Sequence, residues 1–332
     1  MSSGTRLLAG ALALAATTFA GGANGAEIAD AAKPNAVSCT LIKTAAQLNA
    51  IRNNLAGSYC LANDIDLSSI ANFVPVGSAA TPFTGNFFGN DHVISNLKIN
   101  SALLQVGLFA FLNGAVVRNV SLVNVEITST GNFATTGGLI GIASSSAALT
   151  IDHVHVSGTI KCTGTSCTVG GIVGSTGGSY TLARSSSSAN VTGGGGAGGL
   201  IGFYNGFVTD SFATGNVSCT GSCAAGGLVA YGNGKVTRSF ATGSVTAGAS
   251  GFAGGLIGES FNPTTLSYAT GAVTGGASST VGGLIGFAFN LANVTDQCFA
   301  AGPVSGGTGA TLGGLIAGVT NATATNSYWD TT

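Results

Sequence analysis

A five-residue phrase, Gly-Gly-Leu-Ile-Gly with small variations, returns down this chain at nearly constant intervals. Its central aliphatic residue stands at Leu139, Ile172, Leu200, Leu228, Leu256, Leu284 and Leu315, in steps of 33, 28, 28, 28, 28 and 31 residues. Gly107-Leu108-Phe109 reads as an earlier, divergent copy. A fixed period of this size marks a repeat architecture. After each phrase comes a turn and a second segment, as in Val208-Thr-Asp-Ser-Phe-Ala-Thr-Gly, Val236-Thr-Arg-Ser-Phe-Ala-Thr-Gly and Leu266-Ser-Tyr-Ala-Thr-Gly. A third short stretch, such as Asn216-Val-Ser or Ser244-Val-Thr, closes the unit. The pattern predicts three short strands per unit, joined by Gly and Asn turns. Such a unit cannot bury its own apolar face, but stacked copies can, each strand pairing in parallel with its counterpart one coil away. The expected fold is therefore all-β: a parallel β-solenoid, right-handed β-helix-like, of about eight coils spaced about 4.8 Å apart. A propeller is the runner-up, but its blades run longer. The glycines fit turns with positive φ or places where backbones approach closely.

Composition agrees and removes several classes. Glycine fills 55 of 332 positions without a three-residue period, which excludes collagen. Charged residues make up 6% and apolar residues 45%, the opposite of a disordered chain. Ten Lys and Arg are scattered against a net charge of −1, so no surface could neutralise a run of phosphates, and nucleic acid is not an expected partner.

Arg6 followed by the apolar run Leu7 to Ala20 and the small residues Ala23-Asn24-Gly25 reads as a signal peptide over residues 1–25. No membrane-spanning segment is expected in the mature chain, since a helix needs about 20 apolar residues to cross. Residues 26–135 are then an N-terminal cap with the first divergent coils, and residues 136–332 the regular repeats. Thr44-Ala-Ala-Gln47 has the form of a capping box, with Leu48, Ile51 and Leu55 on one stripe and Gly57 as the stop. That short helix would cover the open edge of the first coil. Export suits disulfides, and proximity pairs Cys39 with Cys60, Cys162 with Cys167 and Cys219 with Cys223, leaving Cys298 as a free thiol in a column of serines. A zinc site from His153, His155, Cys162 and Cys167 is the alternative, but the spacing fits no known ribbon or finger. No metal or cofactor is expected.

The repeated Gly-Leu-aliphatic-Gly core resembles the GLUG motif. That motif occurs in bacterial filamentous-haemagglutinin-like surface adhesins and in secreted immunoglobulin A-cleaving metallopeptidases. The likeness runs from about Gly137 onward. Tyr59-Cys-Leu-Ala-Asn-Asp-Ile-Asp-Leu, Pro75-Val-Gly, Phe83-Thr-Gly-Asn-Phe-Phe-Gly-Asn and His92-Val-Ile-Ser-Asn-Leu resemble the region that precedes such repeats, and Ser327-Tyr-Trp-Asp their close. The resemblance implies a solenoid and a surface role without a fixed activity. The His-Glu-x-x-His motif of the peptidases does not occur in this sequence.

Catalysis would need gathered carboxylates, and the candidates are Asp64, Asp66, Asp91, Asp152, Asp210, Glu259, Asp296 and Asp330. Asp152 and Asp210 fall near one another in units two apart, with Arg184 at the related place between them. Arg184, Asp210 and Arg238 align in consecutive units and predict an Arg-Asp-Arg ladder. A threonine column is expected at Thr209, Thr237, Thr265, Thr295 and Thr325. The candidate binding residues are Phe212, Phe240, Tyr268, Phe299 and Tyr328, whose counterparts in earlier units are His155 and Ser186. They form either an outward stripe or a stacked aromatic core. The functional expectation is an exported, non-enzymatic solenoid that binds extracellular glycan, matrix or a surface protein. The alternative is a carbohydrate-active β-helix enzyme, a polysaccharide lyase or hydrolase.

Overall fold

The computed structural model describes residues 38–145, 149–178, 180–289 and 294–330, so the expected signal peptide lies outside the described residues. The described chain is an all-β parallel β-solenoid of about nine turns, with one short helix near the N-terminus. Equivalent positions stack in register, for example Val217 on Val245 on Val273 on Val304.

Each regular coil carries five strands where the sequence predicts three. In one coil they are Gly206–Thr209, Phe212–Ala213, Val217–Cys219, Ala224–Gly226 and Val229–Gly232. The first three belong to one continuous sheet, and the fourth and fifth each stack into an eight-stranded sheet of their own. The difference arises at the Gly-Gly-Leu phrase, which is itself a corner. Gly226 ends the fourth strand, Leu228 turns inward, and Val229 opens the fifth.

The Gly-Gly pair is there because of close approach. A Cβ on Gly227 would run into the carbonyl oxygen of Gly255 in the next coil, and Gly199 stands in the same relation to Gly227. Neither has a positive φ. Other glycines, Gly221 (φ 82°) and Gly309 (φ 75°) among them, do take positive φ as expected, but one recurrent left-handed bend is a column of larger residues: Arg184 (φ 45°), Asp210 (52°), Arg238 (46°), Leu266 (51°), Gln297 (52°) and Asn326 (46°). This column bends the chain between the first and second strands of every coil.

Serines behind that bend hold it. The hydroxyls of Ser211, Ser239 and Ser267 each donate to the carbonyl two residues back, that of Thr209, Thr237 and Thr265. Ser211, Ser239 and Ser267 also accept the backbone N–H of Ser185, Ser211 and Ser239, one coil earlier. A tight corner leaves such amides without ladder partners, and an orphaned buried N–H costs about 1–3 kcal/mol. Cys298 occupies this column as expected. It is buried and outside any disulfide, its Sγ donating to the Thr264 and Asp296 carbonyls, and burial pushes its thiol up to about 11.

Cys39–Cys60, Cys162–Cys167 and Cys219–Cys223 are disulfides. At the N-terminal end the helix Ala45–Asn49 runs on as a 3-10 turn, Ala50–Asn53. Thr44 Oγ1 accepts from the Gln47 N–H, and Gln47 Oε1 accepts from the Lys43 N–H, one residue before the position a strict capping box uses. Leu48 and Ile51 are fully buried by this helix, and Leu55 partly.

Candidate functional site

The second strand of each coil places one side chain outward between two that point in. In the coil of Phe212, Ser211 and Ala213 are buried and Phe212 faces out, because alternation restarts after the left-handed residue at 210. Stacking repeats this: Ser186, Phe212, Phe240, Tyr268, Phe299 and Tyr328 lie in one column, with His155 paired to Ser186 below them. Phe212 is 37% exposed, Tyr268 38%, Phe299 38% and Tyr328 70%, so the column is an outward stripe and not a stacked core. Phe212 and Phe240 stack at 4.9 Å with 2° between their planes, and Phe240 and Tyr268 at 4.8 Å with 3°. These rings spend their faces on one another and offer their edges to solvent. His155 is half-buried, with Nδ1 2.9 Å from the Ser186 hydroxyl, and desolvation by burial lowers its pKa.

Charges flank the stripe at the left-handed bend, in pairs rather than in the expected ladder. Arg238 grips Asp210 with two bonds, Nε to Oδ1 at 2.6 Å and Nη2 to Oδ2 at 2.8 Å. Arg184 turns the other way and bonds Asp152 Oδ2 at 2.7 Å. The register does align Arg184 with Asp210, but Asp152 lies one residue before His153, in the column of Ala183, within closer reach of the arginine. The hydrogen bond from Arg238 is the main reason that the Asp210 carboxyl titrates below its usual range. Both aspartates are thus held by guanidiniums, which leaves no open carboxylate pair here.

The threonine column also changes at its end. Thr209, Thr237 and Thr265 stack as expected, but the next residue is Asp296, followed by Thr325, while Thr295 turns inward and is buried. The longer step into this coil moved the register by one residue. Asp296 accepts from Thr325 and Asn326, which with Gln297 pull its pKa down. Asp64 accepts from the Val93 N–H and lies 3.1 Å from His92, and Asp66 accepts from Ser68 and Asn96. Cys162 and Cys167 are bonded to each other, which takes both thiolates from the alternative zinc reading. Glu259 sits on a different face, in register between Tyr231 and Phe287, and burial raises its pKa. Sequence reasoning missed this setting. The signal for it was the alternation of the fifth strand, where the residue three positions after each Leu points out.

Residues 42–158, the helix and first coils, match the family model described as the M26 IgA1-specific metallo-endopeptidase N-terminal region. Halomucin of Haloquadratum walsbyi is 38% identical over 112 residues, 30% of this chain and 1% of that protein, so the chain spans a small fraction of that relative's length. Among solved structures, a candidate immunoglobulin A1 protease from Bacteroides ovatus aligns over 83% of this chain and 84% of its own, at 22% identity and a TM-score of 0.55. A second, an IgA1 protease, aligns over 82% of this chain and 20% of its own, at 18% identity and a TM-score of 0.54. At these identities the structures share the solenoid fold.

The family match corrects one expectation. A model of a metallo-endopeptidase region fits the first coils, so the expectation of a non-enzymatic protein does not stand. Among the described residues no group of three or more His, Cys, Asp or Glu is placed to hold a metal ion, and no helix is long and apolar enough to cross a membrane.

Proposed function

We propose that this protein is an exported, surface-associated β-solenoid that engages a protein surface through the ridge formed by Phe212, Phe240, Tyr268, Phe299 and Tyr328. The observation that carries the reading is the parallel stacking of the exposed rings. A sugar stacks on an open ring face, and Phe240 has a neighbour on both of its faces. A row of ring edges is an apolar, flat ridge, suited to the aliphatic and aromatic side chains of a protein partner. Export is supported by the disulfides and by the Arg6–Ala20 leader pattern. In this reading residues 26–135 form the cap and first coils, and residues 136–332 the GLUG-type, adhesin-like binding repeats. The names of the structural neighbours nominate immunoglobulin A1 as the first partner to test.

Surface plasmon resonance of the full protein over immobilised immunoglobulin A1, matrix proteins and a glycan array tests the reading. The expected result is binding to a protein surface that falls at least ten-fold in the triple variant Phe212→Ala, Phe240→Ala, Tyr268→Ala. Binding to glycans alone, or protein binding that the triple variant retains, rejects the ridge. The family-model match favours a second reading, peptidase activity. Electrophoresis of immunoglobulin A1 incubated with the protein checks it through the appearance of fragments.

A further inference from the structure

The corner between the fifth strand of one coil and the first strand of the next carries the dipeptide Asn-Gly at Asn113-Gly114, Asn205-Gly206 and Asn233-Gly234. In such a pair the main-chain nitrogen of glycine can attack the side-chain amide carbon of the asparagine before it, because no Cβ obstructs the approach. How far the folded protein permits this depends on how firmly each corner holds the two groups, and the three corners differ. At the first, the nucleophile itself is tied: the Gly114 N–H donates to the Ser144 carbonyl at 3.1 Å, and the Asn113 N–H to the Phe83 carbonyl at 3.0 Å. At the second, Asn205 is half-buried, its N–H donates to Thr176 Oγ1 at 2.8 Å, and its carbonyl accepts from the Tyr180 N–H.

Asn233 is the stacked counterpart of Asn205, since Tyr204 pairs in register with Gly232. Yet Asn233 is exposed, lies outside the strands Val229–Gly232 and Lys235–Thr237, and its side chain makes no hydrogen bond among the described residues. The Gly234 N–H has no backbone acceptor among them either, and only the Asn233 N–H is held, by the Tyr204 carbonyl at 2.9 Å. Elsewhere in the stack the side-chain oxygens of Asn190 and Asn216 accept backbone N–H groups of the next coil. The fold also fixes the glycine, because a Cβ at position 234 would run into the Tyr204 ring.

We propose that Asn233 is the site at which this protein deamidates spontaneously, ahead of its other Asn-Gly pairs. Base removes the Gly234 amide proton, the nitrogen bonds to Asn233 Cγ, and the side-chain nitrogen leaves as ammonia, closing a succinimide. Water then opens one of the two ring carbonyls. Attack at Cγ leaves aspartate, and attack at the main-chain carbonyl leaves isoaspartate, whose main chain runs through Cβ and Cγ. Either product adds one negative charge to a chain whose net charge is −1, two residues before Lys235. Isoaspartate also lengthens the corner that feeds Lys235–Thr237, the strand stacked on Phe207–Thr209. The modification does not depend on what the ring ridge binds.

The test is incubation of the full protein at alkaline pH, in native buffer and in guanidinium chloride, followed by tryptic mapping with mass spectrometry. Asn205 and Asn233 fall on one peptide, Ser185 to Lys235, and Asn113 on another, Ile99 to Arg118. In native buffer Asn233 is expected to convert at least ten-fold faster than Asn113 or Asn205. In denaturant the three should convert at similar rates, because the folded contacts that separate them are gone. Asn233→Ser should remove the acidic species that appears on isoelectric focusing while circular dichroism stays unchanged. The proposal is overturned by equal native rates, by faster conversion at Asn113 or Asn205, or by no conversion of Asn233 over a time in which the denatured chain converts. A preference for Asn233 that persists in denaturant also overturns it, since the contacts of the corner would then not be its cause.

Discussion

The first coils and the later coils use phenylalanine in opposite ways. Around the N-terminal helix, Phe73, Phe83, Phe87 and Phe109 are fully buried, with Phe83 and Phe109 4.8 Å apart and Phe87 and Phe109 5.4 Å apart, edge to face. From Phe212 onward the matching aromatic residues face outward, and the interior is filled by Leu, Val and Ala columns. The early strands are long, Asn86–Ser95 and Val116–Ser129, whereas the later coils break the same path into pieces of two to four residues. Short strands between tight bends bring the facing walls close, and small side chains then fill the space at native packing density. The difference teaches that one solenoid can be held in two ways. At the start it is held by large apolar side chains, each worth about 1.5–3 kcal/mol on burial. Further on it is held by backbone contact and serine-satisfied corners.

The largest effect should come from breaking the close-packed half. Gly227→Val places a side chain against the Gly255 carbonyl and the Ala241 side chain, so adjacent coils must separate. We expect a loss of about 4 kcal/mol or more, or failure to fold, read by chemical denaturation. A native-like midpoint would mean that the coils can part without cost.

The comparison itself is sharpened by one substitution in each half. Phe109→Ala should cost about 3–5 kcal/mol, because it opens a cavity among buried rings. Phe240→Ala removes an outward ring stacked on two neighbours and should cost about 1–3 kcal/mol, less than the interior ring, two stacked pairs being worth about 0.5–1.5 kcal/mol each. Equal losses at the two positions would erase the distinction between interior and exterior aromatics.

The smallest effect concerns Asp210 and Arg238, both substantially exposed. The folded Asp210 carboxyl titrates below its ordinary value of 3.8, chiefly through the Arg238 hydrogen bond. Its contribution is therefore present above pH 3.8 and is lost as pH falls through the lower, folded value. Solvent screening limits it to about 1 kcal/mol or less. Compared with Arg238→Ala in denaturant melts, the wild type should hold a small advantage at pH 7 that fades on acidification. An advantage that grows below pH 4 would reverse the assignment.

Much of this was legible in the sequence because stacking makes period equal to contact. The 28-residue step put Phe212, Phe240 and Tyr268 in one column and Cys298 among serines without any coordinates. Where the step changed length the reading slipped, and Thr295 took the place that belongs to Asp296, since a one-residue shift turns a side chain to the opposite face. The inward or outward sense of the aromatic column was open in the sequence, because Ser-Phe-Ala alternates equally well in either direction. The left-handed residue before it decided the sense, and residues as unlike as Arg184, Asp210 and Leu266 carry no shared sign of that conformation.

Repetition in the sequence alone determined the parallel stack, the partner of each strand and the isolation of Cys298, because a unit too small to bury its own face can only bury it against its copies. The three-dimensional path of one coil decided the rest: five strands instead of three, Arg184 on Asp152 instead of Asp210, and Glu259 in register between Tyr231 and Phe287. Those outcomes depend on the angle at each corner and the direction in which long side chains lean. Both are set by contacts between coils and not by the order of residues within one.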